Sequence, residues 1–400
     1  MRKQTFFTSN DQNIINSIGG IPCMGLKLHE NMRVLVIDDC IPAPELGWGY
    51  PRADLVLNCL VDIGCEVSLL PLQNPKKTQP HTDLLKEKGI KIKTPDRSNL
   101  KQFFRKKKDR YDVIWISRTL NMIQTIDIIR KINPTQKVIY DTETFSPARD
   151  ILRRELYGNK LSEDKKKAII QKELDLMNKA DMVVAVSAQE RKKIESLGIK
   201  SVEVLSFSMD ANPTSKPFKE RTDILFVGAF LDSPSPNEDS ILYFVNEIYP
   251  KVYEALGAKL WIVGTGSNKV GSIKKLASDN IVIAGKKDNL WDVYDSCKVF
   301  IVPTRYASGI PLKLIGSLAH GLPCVVTPLI AEQVELNENT LLIGADPEGF
   351  AQKIIQCYTD EKMWMGLREN GLQYIKNEFQ LKKFKQNLIK IMQGIRENKD

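Results

Sequence analysis

One rhythm, run through twice, constrains these 400 residues more than any other feature: strand-sized apolar runs alternate with amphipathic helical stretches. The first series places strands at Val34–Ile37, Glu66–Leu70, Ile90–Lys93, Val113–Ser117, Val138–Asp141 and Met182–Val186. Helical patterns lie between them, from Arg52 to Ile63, Asn99 to Asp109 and Met122 to Ile132, then Ala148–Tyr157 and Glu163–Lys179, with Ser187 as an N-cap. The second series has strands at Ile224–Val227, Leu260–Val263, Ile281–Ala284, Val299–Val302 and Cys324–Thr327. Helices lie near Asp239–Leu256, Ser272–Ser278, Leu290–Ser296 and Pro311–His320, followed by a helical tail from Pro347 to Ile395. Such alternation predicts parallel sheets covered on both faces. Between the series, Ser208–Thr222 holds two prolines and no periodicity, as a linker does. The expected fold class is therefore α/β, with two Rossmann-like doubly wound domains facing a cleft. The expected division is a leader over 1–31, a first domain over 32–207, a linker over 208–222, a second domain over 223–378, and a C-terminal helix over 379–400 that can cross back to the first domain.

Composition narrows the class. With 42% hydrophobic and 27% charged residues the chain reads as globular, and its apolar runs are far short of the roughly 20 residues a membrane span needs. The opening Met1-Arg2-Lys3 imitates a signal sequence, but the polar run Thr8–Asn13 breaks it. Seven scattered cysteines without a CxxC pair fit a reducing cytoplasm and give no disulfide framework or zinc site. The net charge of +9 is uneven: residues 1–200 carry 35 Lys and Arg against 25 Asp and Glu, while residues 201–400 carry 23 against 24. The two halves therefore meet different partners.

Ligands of doubly wound sheets bind at the carboxyl ends of the strands. The first such loop is DDCIPAPELGWGYPR, where Gly47 and Gly49 precede a helix that starts near Arg52. Glycines there let a backbone approach a ligand, and a helix N-terminus offers free amides to an anion; an ordinary flexible loop reads the same way. Val263-Gly264-Thr265-Gly266 either hugs a base or ribose or is a common post-strand turn. The run Pro303–Lys313 (PTRYASGIPLK) says more: Ser308 can cap a helix, Pro311 fits its first turn, and Arg305 with Lys313 makes a cationic socket for a phosphate or diphosphate. Of the three histidines, His29 lies in the leader, His81 in a loop, and His320 reads as a helix C-cap. No His, Asp and Glu set has metal-ligand spacing, so no metal or other cofactor is expected.

The run RYASGIPLK followed by LAHGLPCVVTP resembles the donor segment of glycosyltransferase family 4, retaining enzymes of the GT-B fold. The segment Asp39–Pro44 with Gly47, Gly49 and Arg52 is similar to their first loop, and Phe226-Val227-Gly228 with Pro236-Asn237 to the start of their second domain. The resemblance implies a nucleotide-diphosphate-sugar donor on the second domain, a glycan, glycolipid or protein acceptor on the first, and a role in polysaccharide or glycoconjugate synthesis. By position, Gly228 approaches the donor phosphates, Arg305 and Lys313 neutralise them, and the amides near Gly309 and Ile310 contact sugar or phosphate. Ser308, Gly309 and Gly264 complete the implied donor set. The acidic group at Asp141-Thr142-Glu143 falls where relatives face the cleft with a catalytic His or acid, so Asp141 and Glu143 are candidate catalytic groups; a helix-capping Asp and a solvated Glu are the other reading. One departure stands out: the family's Glu-x7-Glu pair falls on Ser308 and Gly316, which leaves open a catalytically degenerate GT-B binding protein.

Much of the first-half charge lies in Phe103-Phe104-Arg105-Lys106-Lys107-Lys108, joined by Lys165–Lys167 and Arg191–Lys193. Basic clusters with aromatics suit an anionic membrane surface, which implies a cytoplasmic protein peripheral to the inner face; solvated faces explain them equally. No nucleic-acid motif accompanies the charge.

Overall fold

The computed structural model describes residues 27–28, 31–44, 49–72, 79–94, 99–231, 233–287 and 289–397. The twofold rhythm becomes two parallel sheets. The first holds β1 (Arg33–Asp38), β2 (Glu66–Pro71), β3 (Lys91–Ile92), β4 (Val113–Ser117), β5 (Lys137–Asp141), β6 (Met182–Ala185) and β7 (Val202–Val204) in the order β3-β2-β1-β4-β5-β6-β7. The second holds β8 (Thr222–Val227), β9 (Leu260–Val263), β10 (Ile281–Gly285), β11 (Cys297–Val302), β12 (Cys324–Val326) and β13 (Leu342–Ile343) in the order β10-β9-β8-β11-β12-β13. Central strands such as β4 and β11 are buried along their whole length, because helices cover both faces.

Two strands escaped the sequence reading, β7 and β13. Each is a short edge strand of three or two residues, too brief to show periodicity. The helix expected over Asp239–Leu256 begins earlier, at Pro236, with Ser235 accepting the Glu238 amide, and a π segment at Phe244–Ile248 divides it. Pro250 accounts for the break, since it has no N–H to give the preceding turn. The helix expected over Asn99–Asp109 is confined to Leu100–Lys106, and His81 opens the helix His81–Glu87 instead of lying in a loop.

The expected single helical tail is three helices, Pro347–Thr359, Glu361–Glu378 and Leu381–Glu397, with Asp346 and Asp360 capping the first two. The last helix leaves the second sheet. Its Phe384, Leu388, Ile391, Met392 and Ile395 join Val34, Val56, Ile139 and Met182 in the core of the first. Each fully buried side chain of that stripe contributes roughly 1.5–3 kcal/mol. The chain thus crosses between the sheets twice, and the crossings touch: the Met209 amide donates to the Phe379 carbonyl at 2.9 Å. Arg221, fully buried, fastens the first crossing to the second sheet through the carbonyls of Lys216 and Tyr294.

Candidate functional site

Strands β1, β4 and β5 are neighbours, so the residues that follow them emerge side by side. Ser117 is in register with Asp141, and Ile37 with Ile116. Arg118 sits at the centre: its Nε lies 3.2 Å from Asp38 and 3.0 Å from Glu143, and its Nη1 donates to Asp39 at 3.0 Å. Asn121 donates to the other Asp39 oxygen at 3.0 Å. Behind this group Arg52, in the first turn of the helix Tyr50–Asp62, donates to Asp141 at 2.8 Å and to the Leu205 carbonyl at 2.9 Å. The Trp115 indole also donates to Asp141, at 3.2 Å.

Four carboxyl groups therefore face two guanidinium groups in a largely buried cluster. Burial raises the Glu143 carboxyl to about 8, against the pull of Arg118, and raises Asp38 to about 6. Arg118 and Glu143 both hold left-handed backbones, at φ 74° and 53°, as residues at functional sites often do. Gly49 explains how they fit. A Cβ there would stand 2.9 Å from a Glu143 oxygen and 3.4 Å from Arg118 Nη2.

The second wall is made at the ends of β8, β9 and β11. Gly228 and Gly264 pack backbone to backbone: a Cβ on Gly264 would lie 2.0 Å from the Gly228 carbonyl oxygen, so contact between two strand ends is sufficient reason for that glycine. A Cβ on Gly228 would meet Phe226 and Asn237. Arg305 stacks over Tyr243 and is ion-paired with buried Asp239, its Nε donating at 3.0 Å. Lys313 donates to Asn237, and its Nζ lies 4.6 Å from the centre of the Phe226 ring. Burial, with no carboxylate beside it among the described residues, lowers its ammonium to about 7.

The walls touch through the loop between β11 and the helix Leu312–Ala319. Thr144 donates to the Ser308 hydroxyl and Gly309 donates to Glu190 at 2.9 Å; outside that loop, Tyr157 donates to Asp239 of the helix Pro236–Tyr243 at 2.7 Å. A cavity of about 500 Å³ also lies between the domains, lined by Gln189, Pro328, Ala331, Glu332 and Leu336 among others.

Several sequence expectations need correction. Ser308 caps no helix: the helix begins at Leu312 with Pro311 at its N-cap, and the Ser308 hydroxyl accepts from Thr144 across the cleft. Asp141 is not a capping residue and Glu143 is not solvated, because both belong to the buried arginine cluster. Gly47 lies outside the described residues, as does His29, while Gly49 and Arg52 serve Glu143 and Asp141. Ile310, half-buried, flanks Gly309 on the same loop. Gly316 is buried in its helix, with the Tyr294 hydroxyl 3.4 Å from where a Cβ would stand. His320 is the C-cap of that helix, stacked on Tyr294. The aromatic half of the basic cluster turns inward: Phe104 is buried and Phe103 packs beside the same core. Among the described residues no group of three or more His, Cys, Asp or Glu is placed to hold a metal ion.

Sequence reasoning missed Arg118, Glu190 and Asp239, and took Asp38 only as the start of the first loop. Arg118 follows β4 directly, so the carboxyl-end rule applied to every strand would have found it. Glu190 and Asp239 stand in first turns of helices, where an acid reads as a dipole partner.

The architecture is the GT-B fold, two facing Rossmann-like domains, and solved structures share it. Sucrose-phosphate synthase from Thermosynechococcus elongatus superposes with a TM-score of 0.68 at 14% identity, over 91% of this chain and 99% of that one. A glycosyltransferase from Rickettsia africae gives 0.68 at 15%, over 93% and 100%. HepE from Anabaena, in complex with UDP and glucose, gives 0.65 at 12%, over 91% and 100%. Residues 221–360, which include the whole β11 loop and its helix, match the family described as glycosyl transferases group 1. No curated protein sequence matches the chain.

Proposed function

We propose that the chain is a retaining glycosyltransferase of the family 4 type. In this reading it moves a sugar from a nucleotide-diphosphate sugar on the second domain to a glycan, glycolipid or protein acceptor on the first, in polysaccharide or glycoconjugate synthesis. One observation carries the reading: Lys313 is a desolvated cation at the carboxyl end of the sheet with a neutral amide and an aromatic face as neighbours. A diphosphate is the counter-ion such a group lacks. The family match over the same loop and the UDP and glucose seen in HepE support this choice of ligand.

In the proposed reaction the bond from the anomeric carbon to the diphosphate oxygen breaks, and the bond to the acceptor oxygen forms on the same face. The leaving phosphate takes the acceptor's proton. Lys313 and Arg305 stabilise the charge that develops on the diphosphate. Glu143 and Asp38, beside Arg118, orient the acceptor hydroxyl. A thermal-shift screen over nucleotide sugars, followed by proton NMR of the product's anomeric centre, tests donor and stereochemistry together.

A second reading is favoured by the missing carboxylates at Ser308 and Gly316: a GT-B partner protein without catalysis. Transfer or hydrolysis of any nucleotide sugar by the purified chain removes it. No helix among the described residues is long and apolar enough to cross a membrane. We place the protein in the cytoplasm, docked on anionic lipid through Arg105, Lys106, Lys107 and Lys108; equal flotation with neutral and anionic liposomes rejects that docking.

A further inference from the structure

The segment between Val302 and Leu312 has no helix or strand of its own, and its N-cap residue Pro311 contributes no side-chain hydrogen bond. Its conformation has to be set by what it touches. Near its end Gly309 takes φ 84°, and a Cβ there would come within 3.3 Å of the Glu143 carbonyl and the Thr144 hydroxyl of the first domain. The Gly309 amide points at the Glu190 carboxylate. One oxygen, Oε1, accepts both Gly309 from the second domain, at 2.9 Å, and Phe145 from the first, at 3.0 Å.

Glu190 is 7% exposed, and its other oxygen, Oε2, is buried without a hydrogen-bond partner. Burial raises its carboxyl, and the Phe145, Gly309 and Val186 amides, with the charge of Arg52, pull the other way. A side chain kept at such cost has its partners chosen for it: moving the domains apart strips one amide from an oxygen that has few others. The neighbouring contacts obey the same geometry, since Thr144–Ser308 and Tyr157–Asp239 also join the loop and its arginine partner to the first domain.

We propose that Glu190 is a positioning residue for the donor loop. It belongs to one domain and fixes the backbone of the other, so that the loop bearing Arg305 and leading to Lys313 takes its working shape only when the cleft is closed. The inference rests on the donor reading given above for the loop's function, but not for the contact itself. Its chemistry is that of an acceptor oxygen shared by two amides. Charge is not required, and glutamine offers the same oxygen.

The test uses the full chain with Glu190→Gln and Glu190→Ala, read by hydrogen exchange of the 303–313 region and by calorimetry with UDP. Glu190→Ala is expected to speed exchange at Gly309 at least tenfold and to weaken UDP binding by a similar factor; Glu190→Gln is expected to stay within threefold of the parent in both. Its intact thermal unfolding would show that the fold is kept. Unchanged exchange in Glu190→Ala overturns the proposal whether or not UDP binds. Tighter UDP binding in either variant also overturns it, since the carboxylate would then be a competitor for the loop. Should the parent chain bind no UDP, GDP or ADP, the donor reading fails, and the exchange result alone decides the role of Glu190.

Discussion

Arg52 and Asp141 form a buried ion pair, 2.8 Å apart, that ties the first turn of one helix to the end of β5. The same guanidinium holds the Leu205 carbonyl just after β7. Replacing Arg52 with Met leaves Asp141 buried, with Trp115 as its remaining side-chain donor. Breaking a buried pair from one side costs roughly 3–5 kcal/mol. Urea unfolding of Arg52→Met is expected to show a loss in that range. Arg52→Met with Asp141→Asn should recover part of it; an unaffected midpoint would mean water reaches the pair.

Glu143 gives a pH signature with a definite sign. Its carboxyl is held up to about 8 by burial, above its ordinary value of 4.5. As pH rises from about 4.5 to 8 the unfolded chain gains by ionising while the folded chain does not, so stability falls through that window. Glu143→Gln removes the dependence. Thermal unfolding at pH 5 and pH 8 should therefore favour the variant increasingly at the higher pH, and parallel curves would contradict the burial argument.

Lys313 is half titrated near pH 7 before any ligand arrives. An anion placed beside it favours the charged form, so binding a nucleoside diphosphate at pH 7.5 should take up a fraction of a proton. Calorimetry in two buffers of different ionisation enthalpy will detect the uptake. Lys313→Ala should abolish it and weaken binding more than tenfold, about 1.4 kcal/mol. Unchanged affinity for every nucleoside diphosphate would remove Lys313 from the site.

Gly264 and Gly271 make a matched pair of substitutions. Alanine at 264 would drive its Cβ to 2.0 Å from the Gly228 oxygen, in a backbone at φ 144°, whereas nothing lies within 4 Å of a Cβ at 271. Overpacking of this kind costs about 1–3 kcal/mol or more. Gly264→Ala is expected to lower the melting temperature clearly and Gly271→Ala to leave it unchanged or slightly raised; equal effects would show that the β8 and β9 ends can part freely.

How much of this was legible in the sequence varies with the range of the interaction. Strands β4 and β9 were read to the residue, because both faces of each are buried and an unbroken apolar run announces it. Glycines drew attention correctly, but for a reason the sequence conceals: Gly49 makes room for Glu143, ninety-four positions later, and Gly264 for Gly228. Arg305 and Lys313 read as an equal pair of cations. Only contacts with Asp239 and Asn237 separate them, one already matched to a carboxylate and the other not. Glu190 was invisible for the same reason, since its partners lie 45 and 119 positions away.

The bond between Met209 and Phe379 makes the junction of the domains a ribbon of two chains in place of a single thread. A thread would let the second domain spin as well as swing. A ribbon resists that spin, so the swing left to it carries Asp239 and Gly309 toward Tyr157 and Glu190 together.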